Sequence, residues 1–259
     1  MRIIKLNATD STNTFLKQLS SDEVLEDYTI VQSDFQSQGR GQMGTIWQAN
    51  IGEGLIFSVL KKVSFLKFDA HFYISMVTAL AIIKTLEKFN IPKLSIKWPN
   101  DILSENKKVC GVLIENSLKN KQFKDSIIGV GINVNQTQFD NLPQASSLRK
   151  MTGKVFNRDE LLNSLITQLK YYFALLERKE MHVIKKEYES YLFRKNKPST
   201  FRDKEGKMFS GFIQSVSQTG RLQVLLGDTI LKEFDLKEQF QNFLNRLPNG
   251  RYSYSMLIM

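Results

Sequence analysis

Three glycines lie close together in the segment QGRGQMGTIW, residues 38–47, with the spacing G-x-G-x-x-G. In dinucleotide-binding folds the third glycine of this pattern opens a helix, and an acidic residue follows about 20 positions later. Here Gly44 precedes β-branched residues and further glycines, and residues 55–68 contain no Asp or Glu. No Gly-Lys-Ser/Thr follows either, so the segment predicts neither a Rossmann fold nor a phosphate-binding P-loop.

Two interpretations of segment 38–47 remain open. It is either a flexible, glycine-rich surface turn or a loop whose backbone amides approach an anion closely. Glycine permits that approach and the positive φ values of an anion-binding nest. Arg40 would add a fork of donors suited to a carboxylate or a phosphate.

Polar residues and glycines in three later segments favour the second interpretation. In KWPND, Lys97 and Asp101 place a cation and a carboxylate at the end of a predicted strand. Lys108 opens the apolar run KVCGVLIE, in which the glycine allows something to approach the backbone. In IGVGIN the alternating glycines share one face of a strand and leave a flat slot there. Each feature has an ordinary alternative: a polar strand end, a solvated lysine, and close packing against a helix.

The composition excludes several kinds of site. Cys110 is the only cysteine, which excludes an intrachain disulfide and a cysteine-based metal cluster, and two histidines make an all-protein zinc site unexpected. The Lys and Arg residues that give the net charge of +10 are scattered along the chain, which argues against a DNA-binding arm. The charge suits an acidic protein partner, a phosphorylated substrate or nucleic acid, or simply a soluble protein. Without an apolar leader or an apolar run of ~18 residues, we expect a cytoplasmic protein that does not enter a membrane.

Hydrophobic patterning predicts an α+β fold in residues 1–195, with helices packed on one face of a mixed β-sheet. Short apolar runs separated by glycines then predict a small β-barrel domain in residues 196–259, whose last segment, NRLPNGRYSYSMLIM, has no predicted role. Helices are predicted after the capping residues Asp10-Ser11-Thr12, at 68–89, and at about 158–178 and 180–193. Strands are predicted at 2–6, 28–33, 54–60, 94–97, 102–104, 109–115 and 126–133.

Together these segments closely resemble those of biotin protein ligases, in the form without an N-terminal DNA-binding domain. Each motif is weak alone, but six of them in the family's order, across nearly the whole chain, are specific. The motifs are Asp10-Ser11-Thr12-Asn13, then Gln36 with Gly39-Arg40-Gly41-x-x-Gly44-x-x-Trp47, Lys97-Trp98-Pro99-Asn100-Asp101, Lys108-x-x-Gly111, Gly129-x-Gly131-x-Asn133 and Ser147-Leu148.

The resemblance implies a class II aminoacyl-tRNA-synthetase-like catalytic domain followed by a small β-barrel domain. It also implies a two-step reaction that uses Mg²⁺ with ATP. Biotin, a substrate rather than a cofactor, is activated as biotinyl-5′-adenylate with release of pyrophosphate. A lysine of a biotin carboxyl carrier protein then takes the biotin and releases AMP. The family pattern allows a homodimer and implies no DNA partner for this form.

The resemblance also implies roles for individual residues. Arg40 and Lys108 would hold the carboxylate and the α-phosphate, supported by Lys97, while Asp101 would place a metal or a ribose or activate the incoming lysine. Trp47 would pack on adenine. The implied biotin-binding residues are Ser11, Thr12, Asn13, Gln36, Gly39, Arg40, Gly41, Trp98, Lys108 and Gly111. The implied ATP-binding residues are Arg40, Gly44, Trp47, Asn100, Lys108 and Asn133, and the metal ligands stay unassigned.

One departure from the family pattern stands out at Gln42. Family members often carry a second basic residue after Gly41, where this chain has Gln42 and Met43. A cation near the anhydride is then missing, so either the adenylate is held less tightly or another basic residue compensates. Two other functions stay open: a lipoate-type ligase or acyltransferase of the same fold, and a non-catalytic biotin or nucleotide sensor.

Overall fold

The computed structural model describes residues 1–119, 122–140, 142–202, 206–227, 229–235, 242–246 and 252–257. The chain divides into two compact units, Met1–Tyr188 and Glu189–Met259. This division lies a few residues before the boundary expected from the sequence, between residues 195 and 196. In the part of the chain that is described, no helix is long and apolar enough to cross a membrane.

Seven strands form one mixed sheet in the first unit, at or near the predicted positions: β1 (Ile3–Leu6), β2 (Ile30–Ser33), β3 (Gly54–Lys62), β4 (Leu94–Lys97), β5 (Asp101–Ser104), β6 (Lys107–Lys119) and β7 (Gln122–Asn133). Their order in the sheet is β1-β2-β3-β7-β6-β5-β4. The pair β1 and β2 is parallel, and the other neighbouring pairs are antiparallel. The predicted α+β class with a mixed sheet is confirmed.

Five helices belong to the described chain: α1 (Thr12–Asp22), α2 (Phe72–Lys88), α3 (Leu148–Thr152), α4 (Arg158–Glu177) and α5 (Met181–Ser190). Helix α2 is apolar nearly all round, and most of its residues are buried, as its sequence predicts. Helix α4 begins where the Asn157 side chain accepts hydrogen bonds from the backbone amides of Asp159 and Glu160. The short helix α3, which the sequence analysis does not predict, ends at Gly153 in the left-handed conformation.

The two faces of the seven-stranded sheet carry different helices. Along β3, residues an odd number of positions apart point to opposite faces. Ser58 hydrogen-bonds Thr12 and Asn13 of α1, whereas Lys61 forms an ion pair with Glu177 of α4. Because α2 packs against α4, the long helices share one face, as predicted. The shorter α1 lies on the opposite face.

We call the face covered by α2 and α4 the helix face, and the face that carries α1 the glycine face. Gly129 pairs directly with Ser58, and Gly131 pairs with both Ile56 and Gly111. Directly paired residues point to the same side of a sheet. All three glycines therefore lie on the face that carries α1.

The second unit contains six strands: β8 (Pro198–Arg202), β9 (Met208–Val216), β10 (Leu222–Leu226), β11 (Ile230–Phe234), β12 (Asn242–Arg246) and β13 (Tyr252–Leu257). They form one sheet in the order β11-β10-β9-β8-β13-β12, antiparallel except between β13 and β8. The predicted small β domain is present, but within the described ranges its end strands β11 and β12 do not pair with each other. The final segment without a predicted role supplies β13 and the end of β12.

Candidate ligand-binding and catalytic site

One row of directly paired residues crosses four neighbouring strands on the glycine face. Lys97 pairs with Asp101, Asp101 with Gly111, and Gly111 with Gly131. A cation and a carboxylate thus stand at one end of a row whose next two positions have no side chain. The sheet brings together three motifs that are separate in the sequence, and it creates the flat slot that the alternating glycines predict.

The indole of Trp47 lies in this slot. A Cβ atom added to Gly131 would come 2.4 Å from the Trp47 ring, and one added to Gly111 would come 3.0 Å from it. Gly131 therefore excludes any larger side chain while the indole is in place, and a Cβ at Gly111 would require the indole to shift slightly. The indole Nε1 is buried and has no hydrogen-bond partner among the described residues. A buried donor of this kind suits a ligand acceptor that enters the slot.

Segment 38–47 folds as a hydrogen-bonded hairpin rather than a flexible turn. The Trp47 amide donates to the Gly39 carbonyl at 2.8 Å, and the Gly41 amide donates to the Thr45 carbonyl at 2.7 Å. A short 3₁₀ turn, Gln42–Gly44, closes the hairpin. A Cβ on Gly39 would lie 2.3 Å from the Trp47 carbonyl oxygen, so this glycine is required by the hairpin itself. The amides of Gly41, Thr45 and Trp47 are thus engaged within the hairpin in this structure.

Two lysines and one carboxylate form the charged end of the row. The Lys108 Nζ lies 2.7 Å from Asp101 Oδ1 and 5.7 Å from the centre of the Trp47 ring. Burial lowers the pKa of Lys97, and nearby Lys108 lowers it further, while Asp101 acts in the opposite direction. The backbone of Lys108 is held by bonds to Gln144 and Ser146. The site therefore contains a positive charge whose direction is fixed and a second lysine whose charge is costly without an anion.

Arg40 does not join Lys108 in this structure. Its guanidinium NH2 lies 3.0 Å from Glu115 Oε2 and 3.3 Å from Thr14 Oγ1. Glu115 and Gly111 are on the same strand, four residues apart, which corresponds to about 13 Å. Arg40 and Lys108, which are predicted to act together, therefore lie at opposite ends of the slot. Glu115 is absent from the residues predicted by sequence, although a carboxylate at the end of an apolar run could have signalled it.

A buried network of polar side chains occupies the α1 end of the slot. Gln36 Oε1 accepts hydrogen bonds from the Thr12 amide at 2.7 Å and from Thr12 Oγ1 at 3.1 Å. Ser58 Oγ lies 2.7 Å from Thr12 Oγ1 and 2.5 Å from Asn13 Oδ1, and Asn13 Nδ2 donates to Glu115 Oε2 at 2.7 Å. The predicted residues Thr12, Asn13 and Gln36 are therefore brought together. Ser58 was missed, although a serine inside the apolar strand GLIFSVL is a signal for it.

The remaining predicted residues are placed as follows. Ser11 is buried at the start of α1, and its side chain makes no capping hydrogen bond. Trp98 is buried, with 2% of its surface exposed. The amides of Asn100 and Asn133 donate to the backbone carbonyls of Val112 and Ser146. Asn100 thus ties its own loop to β6, and Asn133 at the end of β7 ties the loop of Ser146 to the sheet. Their predicted contacts with ATP stay predictions, as does that of Gly44.

The sequence model of the biotin/lipoate A/B protein ligase family matches residues 6–133. Residues 6–133 of this chain belong to that family. The match includes hairpin 38–47, the row from Lys97 to Gly131, and the polar network beside α1. The site described above therefore lies in the part of the chain that defines the family.

The curated proteins that are similar to this chain include a bifunctional ligase/repressor and a ligase named for biotin. The chain is 31% identical over 143 residues to the bifunctional ligase/repressor BirA of Bacillus subtilis, covering 53% of this chain and 43% of that protein. It is 28% identical over 164 residues to the biotin–[acetyl-CoA-carboxylase] ligase of Mycobacterium tuberculosis, covering 62% of this chain and 60% of that protein. The chain thus spans about half the length of the curated relatives it matches.

Solved structures of the family show the same fold over a greater length. The biotin protein ligase from Aquifex aeolicus in complex with biotin and ATP has a TM-score of 0.76 and 26% identity, covering 100% of this chain and 99% of that chain. The apo structure of the Aquifex aeolicus ligase has a TM-score of 0.70 and 27% identity, covering 90% of this chain and 94% of that one. The biotin protein ligase fold predicted for this family member is thereby confirmed.

Proposed function

We propose that this chain is a biotin protein ligase. It would activate biotin with ATP as biotinyl-5′-adenylate and transfer the biotin to a lysine of a biotin carboxyl carrier protein. The observation that carries the proposal is the row Lys97, Asp101, Gly111 and Gly131, whose two glycines make room for the Trp47 indole beside a lysine-lined end. The similar Aquifex aeolicus protein, which was solved in complex with biotin and ATP, supports this assignment.

The charged end of the row suits the first step. A carboxylate oxygen of biotin attacks the α-phosphorus of ATP, the bond to the bridging oxygen of the β-phosphate breaks, and pyrophosphate leaves. Both reactants are anions, and the phosphoryl oxygens must be stabilised during the displacement. Lys108, held by Asp101, supplies a fixed ammonium for them. Bound anions would also favour the charged form of Lys97, which burial disfavours in this structure.

Asp101 has proposed roles in both steps of the reaction. In the second step a neutral lysine amine of the carrier attacks the acyl carbon, the bond to the AMP oxygen breaks, and the nitrogen loses a proton. We infer that Asp101 first orients Lys108, because its Oδ1 lies 2.7 Å from the ammonium. Its other implied roles, activating the incoming amine and contacting a ribose or a metal, stay predictions.

The polar end of the slot fits the ureido ring of biotin, which offers two N–H donors and one carbonyl acceptor. A backbone N–H can only donate, so the Thr12 amide fixes the Gln36 oxygen toward itself. Gln36 therefore presents its NH₂ group to a ligand carbonyl. The buried Ser11 hydroxyl can donate or accept and would serve the remaining ureido group.

The nucleotide would lie beside Trp47, whose indole lies over the two glycines of the row, and adenine would pack on this ring. Within the described ranges no three His, Cys, Asp or Glu side chains converge on a point. Asp101, the carboxylate of the row, is already paired with Lys108. These side chains would therefore suit a Mg²⁺ ion that is held mainly by the phosphates of ATP, rather than one held only by protein ligands. Such an ion would supply charge neutralisation on the phosphates.

An acidic carrier domain is the protein partner that the charge of this chain favours. With a net charge of +10, long-range attraction would raise the association rate. We expect kcat/KM for the carrier to fall markedly as salt rises, while kcat/KM for biotin changes little. An equal salt dependence for both substrates would rule out steering of the carrier.

The decisive experiment is incubation of the protein with biotin, Mg-ATP and a carrier domain, followed by intact-mass measurement of the carrier. A biotin adduct is the expected result. Lipoate replaces biotin in a parallel reaction, and an adduct formed only there would identify a lipoate-type ligase. Biotin binding without pyrophosphate release would identify a sensor instead.

Arg40 provides a second test of the site. We expect Arg40→Ala to abolish adenylate formation, because this cation lies on the hairpin that borders the slot. Arg2→Ala removes an exposed arginine that pairs with Glu23 and serves as the matched control. Pyrophosphate release is the measurement, and an Arg40→Ala rate equal to that of the control would show that the assignment of Arg40 is wrong.

A further inference from the structure

Glu115 receives hydrogen bonds from two parts of the site at once. Its Oε2 accepts from Asn13 Nδ2 at 2.7 Å and from the Arg40 guanidinium at 3.0 Å. Asn13 belongs to α1, and Arg40 belongs to hairpin 38–47. The Glu115 carboxylate on β6 therefore connects the polar network beside α1 to the hairpin that carries Trp47.

The carboxylate also sets the direction of the hydrogen bonds in the pocket. A carboxylate only accepts, so Asn13 must turn its NH₂ group toward Glu115. Its Oδ1 then faces Ser58, which is fully buried and whose hydroxyl donates at 2.5 Å. Ser58 Oγ lies 2.7 Å from Thr12 Oγ1, and Thr12 in turn binds Gln36. Glu115 thus sets the orientation of Asn13 and, through Asn13, of the Ser58 hydroxyl, while the Thr12 amide orients Gln36.

The backbone of β7 leaves room for this arrangement. A Cβ atom on Gly129 would come 2.4 Å from Asn13 Oδ1, so the amide of Asn13 lies flat against the sheet. In this position Asn13 is 3% exposed. If the amide turned over, its NH₂ group would face Ser58 and its oxygen would face the Glu115 carboxylate. That arrangement places two acceptors against each other.

We propose that Glu115 is a positioning residue of the biotin site, which acts through Asn13 on the ureido pocket and through Arg40 on the hairpin. The proposal rests on the proposed function, since it assumes that the pocket binds biotin. Glu115 touches neither the charged end of the row nor the reacting atoms. Its loss should therefore weaken biotin binding more than it slows the chemical step.

Glu115→Gln is the first test, with Glu23→Gln as the matched control. Glu23 also pairs with an arginine, Arg2, at the far end of α1. Calorimetric titration with biotin, without ATP, should show binding about 10-fold weaker for Glu115→Gln and unchanged for Glu23→Gln. In pyrophosphate release the same variant should raise KM for biotin about 10-fold and change kcat by less than about threefold. Equal biotin affinity in the wild type and Glu115→Gln would overturn the proposal.

A paired exchange separates positioning from mere structural support. Asn13→Asp alone sets two carboxylates against each other. In the double variant Asn13→Asp with Glu115→Gln, the carboxylate is on α1 and the amide is on β6. The hydrogen bond between the two positions is then donated from position 115 to position 13. We expect the double variant to bind biotin better than either single variant. An affinity no better than that of the weaker single variant would contradict the proposal, even if one single variant failed to fold. Failure of the wild type to bind biotin would instead overturn the proposed function.

Discussion

The two faces of strand β7 differ sharply in what they carry. On the helix face, Ile128, Val130 and Ile132 are at most 2% exposed and pack into the core. On the glycine face, the alternate residues are Gly129 and Gly131, which contribute no side chain. The same strand thus anchors the fold on one side and leaves space for a ligand on the other.

Two lysines, one on each face of the sheet, repeat this contrast. Lys61 points to the helix face, where Asp27 and Glu177 lie 2.6 and 2.9 Å from its Nζ. Lys97 points to the glycine face, and burial lowers its pKa. The first charge has two carboxylate partners, while the second lies near Asp101, which is ion-paired with Lys108. We therefore expect the site on the glycine face and the core on the helix face to respond differently to substitution.

Loss of the fixed ammonium on the glycine face should have the largest effect. We expect Lys108→Ala to reduce pyrophosphate release by about 10²–10³-fold, because one preorganised charge next to the phosphoryl oxygens is lost. Its Tm should stay near that of the wild type. The matched control is Lys107→Ala, since the neighbouring Lys107 donates to the Pro143 carbonyl. If both variants lost activity equally, the role of Lys108 would be wrong.

A core substitution on the helix face should lower stability and leave ligand binding unchanged. Phe57 is fully buried, and Phe57→Ala should lower the free energy of unfolding by about 3–4 kcal/mol. Urea denaturation measures this loss. Biotin affinity of the folded protein should be unchanged, as measured by titration well below the unfolding transition. A tenfold weaker affinity would show that the two faces are not independent.

Lys97 and Lys61 should respond oppositely to replacement by methionine. Lys97→Met should raise Tm by about 2–4 °C at neutral pH while it reduces activity, because a buried charge without a full partner is removed. Lys61→Met should lower Tm, because Asp27 and Glu177 lose their common partner.

The pH dependence of the gain in Lys97→Met follows from the lowered pKa. Between the lowered folded value and the ordinary value of 10.5, the unfolded chain binds more protons at Lys97 than the folded chain does. Wild-type stability at this group therefore rises with pH through that window. The advantage of Lys97→Met should be full below the window and should shrink toward pH 10.5. Thermal unfolding of both proteins across this range checks the sign, and a gain that grew with pH would contradict it.

The smallest effect is expected at the departure from the family pattern. Gln42→Arg should slow release of biotinyl-adenylate by about threefold, because it adds a cation beside the anhydride. Gln38→Arg adds the same charge elsewhere in the hairpin and should leave the rate unchanged. Stopped-flow chase of the bound adenylate provides both rates. An unchanged rate for Gln42→Arg would mean that other basic residues already compensate.

Most of the elements and the flat slot could be predicted from local patterns. Alternation of Gly129 with Gly131 shows directly that one face of β7 is bare, and the all-round apolar pattern of α2 shows that it is buried. The hairpin was harder to predict, because an isolated glycine pattern fits a loop around an anion as well as a flexible surface turn. Its internal bonds, such as Gly41 to Thr45, show a closed hairpin rather than a flexible turn.

By itself the sequence determined most of the elements, the family and most of the residues available for chemistry. These follow from periodicity and from motifs that are local along the chain. Only the tertiary structure decided which of those residues meet: Lys97 with Asp101, Lys108 across the slot from Trp47, and Arg40 with Glu115 instead of Lys108. The reason is that such contacts depend on register between strands and on how α1 and the hairpin dock on the sheet, and neither is written in any single segment.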